Sequence, residues 1–205
     1  MPEVNEDLHG NVPDQADVAL VLIDVINDLE FPGGEQLMEF ALPAARNIAA
    51  LKARAKAEKV PVIYANDNFG RWRSDLHTLV KHCTGNVRGR ELTQMLLPDS
   101  DDYFVLKPKH SVFYSTALDL LLRYLQVEKL ILTGVAGNIC VLYSANDAYM
   151  RDYQLFIPED CIASETEPEN AYALDQMKRF LKATVCTSEE LDLATLMGKH
   201  GSARR

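Results

Sequence analysis

No stretch of this sequence stays apolar for the roughly 20 residues that a membrane-spanning helix needs. Its first residues, MPEVNEDLHGNVPDQAD, are acidic and polar, so they read as neither a secretory signal nor a typical transit peptide. Cysteine is sparse. Cys83, Cys140, Cys161 and Cys186 stand far apart with no CxxC pair, which argues against a disulfide scaffold and for a reduced, cytoplasmic setting. Positive charge is in deficit: 21 Lys and Arg against 30 Asp and Glu give a formal net charge of -9. That sign repels nucleic acid and anionic membranes, so neither is the expected partner, although local fields still allow a small anionic substrate. Lys52, Arg54, Lys56 and Lys59 alternate with alanine and Glu58 and read as a solvated helix face, not a nucleic-acid patch. Neither a GxGxxG fingerprint nor a GxxxxGK[ST] phosphate loop occurs.

What is present is an ordinary globular composition, 47% apolar and 25% charged over 205 residues, enough for one domain with a sizeable core. The expected organisation is a polar arm over residues 1–16, a single domain over 17–197 and a polar tail over 198–205. DVALVLIDV, from Asp17 to Val25, is a near-continuous apolar run, as in a strand covered on both faces. Pro32, Gly33 and Gly34 break the chain after it. Pro43 opens a helix to about Glu58, with Ile48, Leu51 and Ala55 at helical spacing. KVPVIYAND is a second strand, Ser74–His82 a short helix, and DDYFVLKP a third strand. Leu118, Leu121, Leu122 and Leu125 mark a helical stripe, followed by a strand at Lys129–Thr133 and a helix from Asn138 to Arg151. YQLFIPED, Pro168–Leu181 and Ala183–Thr187 complete the series as strand, helix and strand. This alternation predicts an α/β fold: a doubly wound, mostly parallel six-stranded sheet with helices on both faces, a Rossmann-like three-layer sandwich.

In such folds ligands bind beyond the carboxyl ends of the strands. Three reactive side chains fall there, Asp24, Lys107 and Cys140. Each has a plain structural alternative: a small buried thiol, a carboxylate that caps a neighbouring helix, a solvated lysine. Cys140 follows Asn138, a plausible helix cap, in a turn whose free N–H groups would stabilise a thiolate or an oxyanion. Gly134 and Gly137 allow close approach of the backbone to a ligand. Asp24 interrupts an apolar strand, and burial beside a thiol would raise its pKa and make it a better base.

LVLIDVINDL, VLKPKHSVFYST, LTGVAGNICVLYSANDAYMRDY and FIPEDCIAS together resemble the isochorismatase-like cysteine hydrolases, a superfamily that includes nicotinamidases and N-carbamoylsarcosine amidases. The likeness extends from about Asp17 to Glu190. It implies a triad of Asp24, Lys107 and Cys140; Lys107 rather than Lys109 matches because it stands four residues before Ser111 in K-x-x-x-S-x-F. It also implies an oxyanion hole from the backbone of Ala136 and Cys140, a cis peptide at Val135–Ala136, and a homo-oligomer, dimer or tetramer. Two positions depart from the commonest D-x-Q-N-D-F element: Ile26 replaces the glutamine and Leu29 the aromatic residue. The D-x-H metal signature of nicotinamidases is missing from ANDNFG, where Asn68 follows Asp67, so no metal or other cofactor is expected.

The substrate-binding candidates are Asn27, Phe31, Asn68, Arg71, Trp72, Phe113 and Tyr114. Trp72 and Arg71 suit a planar, carbonyl-bearing ligand, and equally a subunit contact. His110 either faces solvent or lines the entrance. The reading that follows is an amidohydrolase that cleaves a C–N bond of a small amide, carbamoyl compound or ureide through a Cys thioester. An isochorismatase-type vinyl ether hydrolase and a silent scaffold of the same fold are the alternatives.

Overall fold

The computed structural model describes residues 15–198, so residues 1–14 and 199–205, and with them nearly all of the expected arm and tail, lie outside the described residues. β1 (Val18–Ile23) is buried along its whole length. Its odd and even residues separate cleanly. Val18, Leu20 and Leu22 pack with α1 (Gly34–Ala57), while Ala19, Val21 and Ile23 pack with α4 (Leu118–Leu125), α5 (Leu142–Tyr149) and α6 (Glu167–Phe180). Successive side chains of a strand point to opposite faces, so an apolar residue at every position requires cover on both sides.

The remaining strands are β2 (Val62–Asp67), β3 (Tyr103–Lys107), β4 (Lys129–Val135), β5 (Gln154–Pro158), β6 (Ile162–Ala163) and β7 (Thr184–Cys186). They pair in parallel in the order β3-β2-β1-β4-β5-β7, with β6 on the end of β4. The sheet thus has the six long-range neighbours foreseen plus the two-residue β6, too short to show a period in sequence. The strand order reverses at β1 and β4, which makes the cleft beyond their carboxyl ends the favoured place for a ligand. The helices α2 (Leu76–Cys83), α3 (Arg90–Met95) and α7 (Leu193–Leu196) complete the fold. Among the described residues no helix is long and apolar enough to cross a membrane.

Two expectations about α1 are corrected. Pro43 does not open the helix; it lies inside one that begins nine residues earlier, at Gly34. Leu37, Ala41, Ala44, Ala45, Ile48, Leu51 and Ala55 form one continuous buried stripe that carries the helix through the proline. The Glu39 carbonyl, which loses its helical donor at Pro43, lies with Pro43 on the exposed side, where water can satisfy it. Nor is Lys52 solvated. It is buried, donates to the Leu97 carbonyl and pairs with Asp102 at 2.7 Å. Arg54 reaches the Ser188 and Leu191 carbonyls, so this basic face ties α1 to the loops beside it.

β1 and β4 approach very closely at Gly134. Its φ is +114°, and a Cβ there would stand 2.0 Å from the Ile23 carbonyl oxygen. A side chain would meet both a disfavoured backbone conformation and a rigid strand. Gly134→Ala is expected to destabilise the fold by about 2–5 kcal/mol, adding the backbone and overpacking costs. Thermal unfolding measures it, and an unchanged Tm would contradict the close approach.

Candidate active site

The first side chain beyond β1 is Asp24, in the left-handed region at φ 52° and only 4% exposed. Its backbone N–H still bonds to the Ala65 carbonyl of β2, so the turn is held by the sheet. Asp24 Oδ1 accepts the Asp67 N–H at 2.7 Å, and Oδ2 meets Lys107 Nζ at 2.8 Å. Lys107 ends β3 with no exposed surface. Its ammonium has four neighbours: Asp24, the Lys109 carbonyl at 3.1 Å, Cys140 Sγ at 3.6 Å and Asp67 Oδ2 at 3.8 Å. A buried ammonium needs such a set, because removal from water costs several kcal/mol unless charge and hydrogen bonds replace the solvent.

Cys140 belongs to a π-helical turn, Gly137–Val141, between β4 and α5. The Val135–Ala136 peptide before it is cis. Ile139 and Val141 both donate to the Ala136 carbonyl, and the Asn138 N–H donates to Ser164 Oγ at 3.0 Å; the Cys140 N–H makes none of these bonds. Asn138 is not the cap suggested by the sequence but part of the turn, and its Oδ1 is buried without a partner among the described residues.

Burial and the Asp24 carboxylate push the Cys140 thiol up to about 12, with Lys107 pulling the other way. This differs from the lowered thiol expected of a helix start. A wide π turn beside an anion replaces a first α-turn beside open solvent. Burial also raises Asp24, against the pull of Lys107 and of its hydrogen bonds. For Lys107 burial acts to lower the pKa, but Asp24 and Cys140 outweigh it, and the net shift is upward. The site therefore holds a protonated thiol, a cation and a carboxylate of enhanced basicity in mutual contact.

A model of the isochorismatase domain matches residues 18–190. The chain belongs to the isochorismatase family. It is 45% identical over 177 residues to an uncharacterised isochorismatase family protein, YaaI, of Bacillus subtilis, covering 86% of this chain and 97% of that protein. Among solved structures it is similar to N-carbamoylsarcosine amidase from Thermoplasma acidophilum, with a TM-score of 0.67, 26% identity and 86% and 99% of the two chains covered. An isochorismatase family protein from Desulfovibrio vulgaris gives a TM-score of 0.68 at 27% identity, over 88% and 99%. Membership makes the chain a hydrolase of the isochorismatase-like type.

The other candidates within this isochorismatase fold do not all gather at Cys140. Asn27 is buried and committed to its own loop: Oδ1 accepts the Leu29 N–H and Nδ2 reaches the Asp24 carbonyl. Asn68 Oδ1 accepts the Gly70 N–H. Asn68 and Arg71 line a small crevice with His82, which bonds Asp28 at 2.8 Å; neither Lys107 nor Cys140 is among its walls. Phe31 is partly exposed, Tyr114 is 56% exposed and Trp72 81%. Phe113 is turned into the core, stacked on Tyr153 and covered by the Arg151 guanidinium at 4.8 Å. Ile26 and Leu29, the two departures from the common motif, are fully buried on the α1 side, so they change packing rather than the cysteine's surroundings.

Two residues at the site were absent from the sequence-based set. Asp67 was weighed only as a metal ligand, although its position at the end of β2, beside β1, was signal enough. His110, left between solvent and entrance, places Nδ1 3.9 Å from Cys140 Sγ.

The charge arrangement fixes the pH response of the thiol. Since only the thiolate alkylates and its pKa lies well above neutral, iodoacetamide labelling of Cys140 should climb throughout pH 7–9 without a plateau. Asp24→Asn removes the carboxylate that raises the thiol and leaves Lys107, so labelling at pH 8 should become faster. Peptide mapping isolates the Cys140 signal. A plateau near neutrality would show that a standing thiolate already exists, and slower labelling in the variant would show that the carboxylate assists the thiol more than its charge disfavours the thiolate.

Proposed function

We propose that this chain hydrolyses a C–N bond of a small amide, carbamoyl compound or ureide through a thioester on Cys140. The observation that carries the reading is Lys107 Nζ in simultaneous contact with the Asp24 carboxylate and the Cys140 sulfur. Asp24 takes the thiol proton as sulfur attacks the carbonyl carbon, which avoids forming a free thiolate of high pKa. The N–H groups of Ala136 and Cys140 receive the oxyanion. Asp24 then returns the proton to the leaving nitrogen, the C–N bond breaks, and ammonia or an amine departs. Water cleaves the thioester, restoring the thiol and releasing the acid. The similarity to a protein named N-carbamoylsarcosine amidase supports a carbamoyl or amide substrate.

The proposed route needs no metal. Asp67 Oδ1 accepts the Phe69 N–H and His82 binds Asp28, so they form no joint ligand set. The group of three acids within reach of one ion among the described residues is Asp99, Asp101 and Asp102, and Lys52 and Lys56 pair with it.

Ammonia release from a panel of amides and ureides tests the proposal. Cys140→Ala should lower kcat/KM by at least about 1,000-fold, as expected for removal of a covalent nucleophile. Exhaustive chelation should leave the rate unchanged. Full activity in the alanine variant would rule out the nucleophile, and zinc-restored activity after chelation would rule out the metal-free route. Isochorismate belongs in the same panel: pyruvate release that survives Cys140→Ala would move the assignment to vinyl ether hydrolysis.

The exposed indole of Trp72 also fits a contact between copies of the chain, since aromatic residues are favoured where protein surfaces meet. Light scattering across a concentration series should give a dimer or larger closed assembly; a monomer at every concentration would count against it.

A further inference from the structure

We propose that His110 is a second proton carrier of the site, which activates the water that cleaves the thioester and returns that proton to the Cys140 sulfur. The inference rests on the thioester reading above and adds a residue to it. His110 Nδ1 is 3.9 Å from Cys140 Sγ, and the imidazole lies against the Tyr143 ring, with centroids 5.6 Å apart and planes tilted by 46°. The histidine is exposed, whereas Asp24 is 4% exposed and Lys107 has no exposed surface. On this proposal the water reaches the acylated sulfur from the solvent side, where the imidazole stands.

Asp24 faces the interior side of the sulfur, where each of its oxygens accepts one hydrogen bond. The Asp67 N–H holds one and the Lys107 ammonium the other. Acylation uses Asp24 because the thiol touches it directly. Deacylation brings in a new reactant from the other side. With the proton on Nε2, Nδ1 is an acceptor. It takes a proton from water while the water oxygen bonds to the thioester carbon. The tetrahedral intermediate then breaks its C–S bond. Sulfur leaves with the electron pair and takes the proton from Nδ1. Neutral His110, the Cys140 thiol and the free carboxylic acid result, so one water is consumed and every proton is placed. A single contact, ring nitrogen to sulfur, thus serves both halves of the step. Burial that holds the thiol up to about 12 makes this return useful, because an unprotonated sulfur would be a poor leaving group.

The experiment needs an acyl donor, not the natural substrate. 4-Nitrophenyl acetate acetylates a reactive thiol and reports acylation as a burst and deacylation as the following steady rate. In His110→Gln and His110→Ala the burst should keep its rate and amplitude. The steady rate should fall by roughly 100-fold or more, the usual worth of a general base. Acetyl-Cys140 should accumulate in the mass spectrum, and hydroxylamine, a nucleophile that needs no base, should restore turnover. Since His110 is exposed, an unchanged Tm is expected and separates a lost proton carrier from a damaged fold. An unaltered steady rate, or a burst slowed in proportion to turnover, would overturn the role of His110 while leaving the thioester intact. Absence of acetyl-Cys140 in the unsubstituted protein, with hydrolysis of amides unaffected by Cys140→Ala, would remove the thioester itself and this inference with it.

Discussion

The buried pair of Lys107 and Asp24 is the constraint on which the rest of the site depends. A lysine with no exposed surface keeps its charge only where a partner and additional acceptors stand in for water. Asp24 is that partner, at 2.8 Å, and the Lys109 carbonyl is a further acceptor. The two residues come from the ends of β1 and β3, which are not neighbours in the sheet; β2 lies between them. Asp67, from the end of β2, closes the gap: its N–H binds Asp24 and its carboxylate stands 3.8 Å from the ammonium. Three adjacent strand ends are thereby pinned around one positive charge. Such a pair is weak evidence of stability, because desolvation offsets much of the Coulomb attraction; its value here is the poise it gives to a third group.

That third group is the sulfur of Cys140, carried to the pair by β4 through a turn of unusual shape. The close approach of β1 and β4 at Gly134 brings the chain after β4 alongside Asp24. The π-helical turn that follows sets the Cys140 sulfur 3.6 Å from Lys107 Nζ. The positive φ values of Asp24, Phe69 and Ser115 lie in the loops that follow β1, β2 and β3. Non-glycine residues rarely adopt that conformation; four more, Lys59, Gln126, Asp152 and Lys182, follow the ends of α1, α4, α5 and α6, where a left-handed residue closes a helix.

The electrostatics favour a concerted transfer over a standing nucleophile. Burial keeps the thiol protonated, while the carboxylate beside it is made more basic. In the proposed mechanism the proton passes from the thiol to the carboxylate as a carbonyl carbon takes the sulfur's electrons. In the proposed route His110, whose Nδ1 lies 3.9 Å from the same sulfur, would divide the proton traffic in space: an interior carboxylate beside the thiol and an outer imidazole beside the incoming water.

The sequence by itself determined the order of elements, the parallel two-faced sheet and the three reactive residues at its rim. Those features follow from local signals. Unbroken apolar strands such as Val18–Ile23 demand cover on both faces, and a lone Asp24 or Lys107 at a strand end stands out against them. The resemblance to a known family added the choice of Lys107 over Lys109. Only the tertiary structure decided the rest. α1 runs through Pro43 because a core from other elements rewards its whole buried stripe. Phe113 faces the core because Tyr153 and Arg151 receive it, and Lys52 is buried because Asp102 lies opposite. The Cys140 thiol is pushed up rather than down, and His110 rather than Trp72 stands beside it, because burial and charge at a point are sums over neighbours distant in sequence, which no local pattern of residues contains.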